Sequence, residues 1–401
     1  MDIIFATLLF FVLFRAIMTK EDGMCHRILL IGFGMRLVLL LCTSLDLFTV
    51  PDAHGDADAF HDLALAHPSP FEDGAAHMTN YTRWLTVLYM LTDDSRWFAQ
   101  YLNVVLSVLT LLYVRRILYV LDIQEVVAKR LLLVLALMPF VNVYSVVLMR
   151  EAWVTFFVVL SLYYFVRWYM QMGNGGAQIA KCMIAILLAM WMHAGAIGFL
   201  FGYFIAFMTY YRAEDRIRIS KSSYVALFFL ALLVLVLILN VNTLLAKFYV
   251  EDFGEYAETK SSGEGGNSDY LTWLDLSSPS KILLFIPLKA FYFLYSPIIL
   301  DWRGLNDIAA FVLDSSVYIV LSWFIIMRKA ILPKYKLLKR YLLISLLVTT
   351  VMFSFGTSNA GTAIRHRAKM CSFLLVATSI SIEKKGKEDM VDEVDEIVEY
   401  K

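Results

Sequence analysis

Apolar segments of membrane-spanning length recur along almost the whole chain, and they constrain its fold more than any other feature. The chain has 401 residues, of which 60% are hydrophobic and 17% charged, against about 25% charged in ordinary globular proteins. A bilayer-crossing helix needs roughly 17 to 25 mostly apolar residues, so we predict an all-α, polytopic transmembrane helical protein with about eleven spans. The predicted spans are 3–18, 28–49, 97–118, 128–146, 152–170, 179–193, 195–211, 223–242, 308–327, 340–356 and 368–382.

The basic residues between these spans predict the orientation of the chain. Lys and Arg concentrate in cytoplasmic loops, and the alternation here places the N-terminus outside and the C-terminus inside. A further apolar segment, 281–300, contains Pro287, Lys289 and Pro297. If that segment crossed the membrane, the basic cluster at 328–340 would lie outside. We therefore predict a re-entrant pair of short helices there.

This topology predicts a single transmembrane domain over 1–382, with two long outer loops at 50–96 and 243–280, and an acidic cytoplasmic tail over 383–401. The chain carries 35 basic and 35 acidic residues, so no electrostatic attraction to nucleic acid is expected. The four cysteines stand apart, with no CxxC spacing and no pair of cysteines near a histidine. Neither a disulfide framework nor a zinc site is therefore expected.

The first outer loop contains an acidic, histidine-bearing stretch directly after an apolar span. Asp56, Asp58, His61 and Asp62 lie within it. If a helix begins near Ala57, Asp58 and Asp62 lie one turn apart on one face, with His61 beside them. Asp56 and Asp58 could also hold a hard divalent cation through their oxygens. That alternative stays open, because no complete set of metal ligands is visible. The plainer interpretation is that these carboxylates cap or solvate a short helix.

Three further polar clusters are predicted to lie at the same outer depth. They are Arg150 with Glu151, His193, and the run Arg365, His366 and Arg367. Each has a plain structural explanation: an interfacial ion pair, a packed histidine, or basic side chains that reach toward the headgroups. Ionisable groups at a bilayer are costly, so their recurrence at one depth indicates a shared cavity. Arg36 differs, since it lies within the second predicted span.

Carboxylates and arginines at the edge of a membrane suit one reaction class. Arginine binds phosphate and diphosphate groups in a bidentate manner, and a carboxylate can act as general base toward an incoming hydroxyl. Cations that neutralise a leaving phosphate act where negative charge develops. A substrate that is both membrane-embedded and phosphorylated is a polyprenyl-phosphate or polyprenyl-diphosphate sugar.

Several short motifs resemble known membrane enzymes. A span that begins at Met149-Arg150-Glu151, followed by one that ends in Trp-Met-His-Ala-Gly at 191–195, resembles Wzy-type polysaccharide polymerases. The stretch 55–64, Gly-Asp-Ala-x-x-Phe-His-x-x-Ala, is similar to the first outer loop of GT-C glycosyltransferases, in which an acidic residue is catalytic. The basic segment 361–367, Gly-Thr-Ala-Ile-Arg-His-Arg, resembles the late outer loop of such proteins.

The resemblance implies a role for each matching residue. It implies Asp56 or Asp58 as the catalytic base, and a GT-C-like arrangement of spans. It implies diphosphate binding by Arg150, Arg365 and Arg367, and it implies His193 as a group that lines the site. We assign the neighbouring polar residues to substrate binding as well; they are Glu151, His366, His61 and Asp62. No metal ligand is assigned, apart from the open alternative of a divalent cation between Asp56 and Asp58.

The leading functional hypothesis is a glycosyltransferase of the polysaccharide polymerase type in a bacterial inner membrane. It would join sugars from polyprenyl-(di)phosphate-linked donors at the outer face, for a surface polysaccharide such as capsule or O-antigen. Its partners would be the lipid-linked saccharide, the bilayer and other polysaccharide-assembly proteins, and not nucleic acid. Two alternatives stay open: a membrane O-acyltransferase with His193 as base, and a flippase or transporter for lipid-linked oligosaccharides. Trp84 and Trp97, which flank the first outer loop, are candidates for sugar stacking.

Overall fold

A computed structural model describes residues 2–18, 23–47, 50–51, 53–67, 69–71, 78–209, 268–274, 279–328 and 332–382 of the chain. Most of this part of the chain is helical, and it contains no β-strand, apart from one isolated antiparallel bridge between Asp269 and Asn359. The prediction of an all-α fold is therefore confirmed. The predicted span 223–242 and the acidic tail 383–401 lie outside the described residues.

The described part of the chain contains fifteen α-helices. They are α1 (Asp2–Ile17), α2 (Gly23–Ser44), α3 (Asp56–Ala66), α4 (Asn80–Thr92), α5 (Arg96–Val120), α6 (Glu125–Leu137), α7 (Pro139–Val143), α8 (Glu151–Tyr169), α9 (Gly175–Met192), α10 (Ile197–Thr209), α11 (Pro279–Tyr295), α12 (Leu305–Met327), α13 (Pro333–Phe355), α14 (Ala360–Ala368) and α15 (Cys371–Ile382). A π-helical turn, Phe311–Ser315, interrupts α12.

Six helices in the described part of the chain are long and apolar enough to cross a membrane, namely α2, α5, α8, α9, α12 and α13. The chain is therefore a membrane protein by the length and composition of its helices. The apolar helices α1, α10, α11 and α15 are shorter. The span predicted at 128–146 is not continuous, since α6 ends at Leu137 and α7 begins at Pro139. Proline has no N–H to donate, which favours a break at that point.

The helices alternate between two ends of the bundle. At one end, the Arg365 guanidinium on α14 contacts Asp56 on α3 at 2.6 Å, and we call this the Arg365 end. At the other, the Tyr169 hydroxyl at the end of α8 donates to the backbone oxygen of Lys334, at the start of α13, at 2.9 Å. We call this the Lys334 end. Helix α3 of the acidic loop and the late basic segment thus share one end, and Lys334 lies at the other.

The segment 281–300 does not form the predicted pair of short helices. Instead α11 continues through Pro287 as one helix of 17 residues, which corresponds to about 25 Å at 1.5 Å per residue. An internal proline costs a helix about 3 kcal/mol, and α11 packs along α13 despite this residue. After α11 the chain reaches Arg303, whose guanidinium donates to the backbone oxygen of Asp269.

Glycines let α10 approach α13 closely. A Cβ atom at Gly198 would lie 2.6 Å from the Cα atom of Thr349, and one at Gly202 would collide with the backbone oxygen of Tyr341. Two small residues four apart allow helices in a membrane to pack at short range. This contact fixes α13, whose last turn forms one wall of the candidate site.

Candidate functional site

The first turn of α3 carries two of the predicted carboxylates. Gly55 precedes the helix with a φ of 71°, a conformation that glycine adopts without steric cost. Asp56 and Asp58 then occupy the first turn of α3, where the positive end of the helix dipole favours acidic side chains. The helix therefore begins one residue before Ala57, close to the start considered in the sequence analysis.

Arg365 joins this helix to α14. Its Nη1 donates to Asp56 Oδ2 at 2.6 Å, and the two side chains are 15% and 55% exposed. The side-chain oxygen of Asn359 caps α14 by accepting from the N–H of Gly361 at 2.8 Å. The pair therefore lies at the boundary between the core and the surface, on a helix whose start is fixed.

A buried carboxylate lies beneath this pair. Glu151, the first residue of α8, is almost fully buried, and its Oε1 lies 3.1 Å from Lys369 Nζ and 3.7 Å from Arg365 Nε. Lys369 is also fully buried, directly after α14. Arg150 precedes Glu151, and its charge acts on Lys369 and His366. Three cationic side chains and two carboxylates thus meet at one place, and we call Asp56, Arg150, Glu151, Arg365 and Lys369 the charged cluster.

Two histidines line the inner side of the charged cluster. The rings of His193 and His366 lie 5.2 Å apart, and Phe353 of α13 stacks on His366 at 4.9 Å. Lys369 Nζ donates to His366 Nδ1 at 2.9 Å, so that nitrogen is unprotonated. Burial, and next the charge of Lys369, hold the pKa of His366 well below its ordinary value. The His366 ring is therefore neutral, with its proton on Nε2.

Asp58 belongs to a different cluster from Asp56. Arg96, in the first turn of α5, contacts Asp58 at 2.7 Å, and His54 contacts it at 3.0 Å. The hydrogen bond from Arg96 is the main cause of the lowered pKa of Asp58. Asp56 and Asp58 therefore engage different arginines. No group of three or more His, Cys, Asp or Glu that could hold a metal ion occurs within the described ranges.

The other two residues of the acidic stretch lie away from the charged cluster. His61 Nδ1 shares a hydrogen bond of 2.6 Å with the Tyr89 hydroxyl, which docks α3 on α4. Burial is the main cause of the lowered pKa of His61. Asp62 is exposed. The structure thus brings Asp56 to the basic groups, but it does not bring His61 or Asp62 there.

Arg367 also lies apart from the charged cluster, although it is two residues from Arg365. It is completely buried, and its Nε donates to Asp314 Oδ2 at 2.6 Å. Its Nη1 donates to the backbone oxygen of Ser296 at 2.6 Å, and its own backbone oxygen accepts from the Tyr318 hydroxyl at 2.7 Å. Arg367 therefore attaches α14 to α11 and α12, and its guanidinium is occupied by protein groups.

Arg36 is buried in the middle of the bundle. Its Nε donates to Ser107 at 2.9 Å and its Nη1 to the backbone oxygen of Gly32 at 2.8 Å. Its Nη2 has no hydrogen-bond partner within the described residues. Arg36 and Glu151 both line a small cavity of about 20 Å³, which is large enough for a water molecule.

Sequence reasoning missed two cations of these clusters, Lys369 and Arg96. Lys369 follows Arg365 by four residues, a spacing that places both on one helix face. This four-residue spacing could have identified Lys369, but Arg367, which lies closer to Arg365 in the sequence, was chosen instead. Arg96 gave no such signal, because only the folding of α3 against α5 brings it to Asp58.

The charged cluster combines an accessible carboxylate with buried and half-buried cations at one end of a membrane protein. Such a site can accept a proton at Asp56 and can neutralise an anionic group beside it. Comparison of the chain with known protein families, curated proteins and solved structures finds no match. The chemistry of the cluster is therefore the basis for a functional assignment.

Proposed function

We propose that the chain is a membrane glycosyltransferase of the polysaccharide polymerase type. It joins sugars carried on polyprenyl-(di)phosphate at the outer face of a bacterial inner membrane, for synthesis of a surface polysaccharide. The observation that carries the proposal is the position of Arg365, which contacts Asp56 at 2.6 Å and lies 3.7 Å from Glu151. One guanidinium thus connects the accessible carboxylate of Asp56 with the buried carboxylate of Glu151, which also contacts Lys369.

In this proposal Asp56 is the general base. It accepts the proton of an acceptor hydroxyl, whose oxygen forms the new bond to the anomeric carbon of the donor sugar. The bond from that carbon to the phosphate oxygen breaks, and its electron pair leaves with the lipid diphosphate. Asp56 suits this role because its side chain is 55% exposed and a base must reach the proton it takes.

The cations of the charged cluster hold the leaving group. Arg150, Arg365 and Lys369 are placed to neutralise the charge that develops on the diphosphate. Arg365 can bind it in a bidentate manner, whereas Lys369 acts as a point charge. Glu151 balances the positive charge of the buried Lys369 when no anion is bound. Arg367 takes no part in this, since Asp314 occupies it, and its role is structural.

We propose the membrane topology that fits this assignment, a GT-C-like arrangement with the N-terminus outside, the C-terminus inside and eleven crossings. The Arg365 end faces outward. α11 then enters the membrane and the chain returns to the same side, which is supported by the contact between Arg303 and Asp269. This topology requires one further crossing between α10 and α11, and the segment 223–242 that is predicted for it lies outside the described residues.

A geometric observation disfavours the O-acyltransferase alternative. That alternative needs the lone pair of His193 as a base. His193 Nδ1 already accepts from the backbone N–H of Gly195 at 3.1 Å, so a neutral ring carries its proton on Nε2 and presents a donor there. A hydrogen-bond donor can orient a phosphate or a hydroxyl, and this role fits the glycosyltransferase.

The test is an analysis of lipid-linked glycans in cells that carry the wild type, Asp56→Asn or Asp94→Asn at equal membrane abundance. Asp94 is an exposed residue with φ of 59°, a conformation that asparagine tolerates, so this variant is the matched control. We expect single lipid-linked units to accumulate in Asp56→Asn, and long chains in the wild type and the control. Unchanged glycans in Asp56→Asn would reject Asp56 as the base. If the lipid-linked glycans also remain unchanged when the gene is deleted, the glycosyltransferase assignment fails.

A further inference from the structure

A separate cleft lies beside the first turn of α5, at the same end of the bundle as the charged cluster. Its volume is about 330 Å³, at the lower end of the range of roughly 300–1,000 Å³ for small-molecule sites. The end of α2, the segment before α3 and the start of α5 form its walls. The residues that matter for its chemistry are Ser44, Asp46, His54, Arg96, Trp97 and Gln100.

Trp97 gives the cleft an aromatic wall of fixed orientation. Its ring lies nearly parallel to that of Tyr101, with 5.5 Å between centroids and 7° between planes. This stacking covers one face of the indole and fixes its plane. A tryptophan that serves only as an interfacial anchor faces the headgroup region, whereas Trp97 lines a cleft of mixed polarity. An aromatic face carries partial negative charge, and it suits the polarised C–H groups of a pyranose ring.

The polar groups of the cleft are mainly hydrogen-bond acceptors. The Asp46 carboxylate is exposed. The Ser44 hydroxyl donates to the backbone oxygen of Leu40 at 2.7 Å, so its oxygen remains an acceptor. Gln100 Nε2 donates to the backbone oxygen of Val146 at 2.9 Å, which leaves its amide oxygen as an acceptor. A ligand with many hydroxyl donors fits such a set of groups.

The cation of the cleft is already engaged. Arg96 contacts Asp58 at 2.7 Å and donates to the backbone oxygen of Ala53 at 3.2 Å. The cleft therefore offers acceptors and an aromatic face, while the charged cluster offers cations. The first favours a neutral, hydroxyl-rich ligand and the second an anion. Asp58 and Asp56 are two residues apart on α3, so the two regions adjoin across the first turn of one helix.

We propose that this cleft binds the saccharide portion of the acceptor, with a pyranose ring on Trp97 and its hydroxyls on Asp46, Ser44 and Gln100. The proposal rests on the glycosyltransferase assignment. It adds a sugar subsite distinct from the charged cluster, on the side of α3 that faces Arg96. An acceptor seated there extends toward Asp56, which takes the proton of the attacking hydroxyl.

The experiment uses the full-length chain purified in detergent. The probe is the glycan of the lipid-linked units that accumulate in cells lacking this chain, released from lipid and phosphate by mild acid. Binding of this glycan is measured by saturation-transfer difference NMR for the wild type, Trp97→Ala, Asp46→Asn and Trp273→Ala. Trp273 is 70% exposed and lies outside both regions, so its variant is the matched control.

We expect Trp97→Ala to bind the glycan at least about ten-fold more weakly, as is usual when a central aromatic anchor is removed. Asp46→Asn, which leaves the packing intact, should also weaken binding, and Trp273→Ala should bind like the wild type. A parallel assay follows conversion of the intact lipid-linked units into longer chains. Suppose that the wild type converts the lipid-linked units, and that Trp97→Ala and Asp46→Asn bind the glycan as tightly as the wild type does. That result would overturn the cleft assignment alone. Lack of conversion by the wild type would overturn the proposed function and, with it, the acceptor role of the cleft.

Discussion

Arg365 and Asp56 are 309 residues apart in the chain, yet the guanidinium of one donates to the carboxylate of the other at 2.6 Å. The contact joins the helix of the first acidic loop to the last basic segment. Because Asp56 is more exposed than Arg365, an anionic substrate that approaches from the surface meets the carboxylate first. Under the proposed function, a substrate phosphate bound to Arg365 would take the place of Asp56 on this guanidinium.

Replacement of Arg365 tests the role of its guanidinium. We expect Arg365→Gln to lower polymer formation by about 100-fold or more, as is usual when a group that stabilises developing charge is removed. Arg365→Lys should retain part of the activity, because lysine keeps the charge but loses bidentate geometry. The measurement is the rate of chain elongation in membranes of equal protein content. The control is Arg328→Gln, because Arg328 is exposed and lies at the Lys334 end. An equal loss of chain elongation in this variant would contradict the role of Arg365.

The buried pair of Glu151 and Lys369 is expected to stabilise the fold only as a pair. Glu151→Gln leaves Lys369 with an uncompensated charge, and breaking a buried ion pair costs about 3–5 kcal/mol. The double variant Glu151→Gln/Lys369→Met should be more stable than Glu151→Gln alone, because it removes both charges. Thermal unfolding in detergent is measured for the wild type, Glu151→Gln, Lys369→Met and the double variant, which together form a double-mutant cycle. Simple additivity of the two single changes would show that the pair is not coupled.

The close approach of α10 to α13 predicts a strong effect at Gly202. A Cβ atom there collides with the backbone oxygen of Tyr341, so Gly202→Ala should lower the free energy of unfolding by about 1–3 kcal/mol, as overpacking does. Gly34 of α2 is the matched control, since a Cβ atom there meets nothing within 4 Å. Gly34→Ala should be neutral or stabilising by up to about 1 kcal/mol. Equal melting temperatures for the two variants would contradict the packing argument.

The docking of α3 on α4 is expected to depend on pH through His61. Burial lowers the pKa of His61, so the folded state binds its proton more weakly than the unfolded chain does. The stability that the neutral ring contributes is therefore fully present above about pH 6.5, the ordinary value of histidine, and decreases as the pH falls below it. Hydrogen exchange of α3 at pH 7.5 and pH 5.5 measures this change. His61→Gln should reduce the difference between the two pH values, and an undiminished difference would exclude His61 as its source.

Much of the fold follows from local pattern. A bilayer requires long apolar helices, and the predicted segments 28–49, 97–118, 152–170, 179–193, 308–327 and 340–356 each overlap one of the six long helices. The pattern was less reliable where proline intervenes. Pro139 interrupts the predicted span 128–146, whereas Pro287 does not interrupt its helix. Only the surrounding packing decides whether the loss of one backbone hydrogen bond is tolerated.

In the candidate site, local sequence pattern and tertiary packing also contribute different information. From the sequence we predicted that acidic, basic and histidine residues gather at one depth of a membrane protein, because hydropathy places them at the ends of predicted spans. The pairing of Arg365 with Asp56, of Lys369 with Glu151 and of Arg367 with Asp314 follows from the packing of the helices. Residues two apart on a helix point in different directions, and residues four apart share a face. Which face meets the site depends on contacts between helices far apart in sequence, and no local pattern records them.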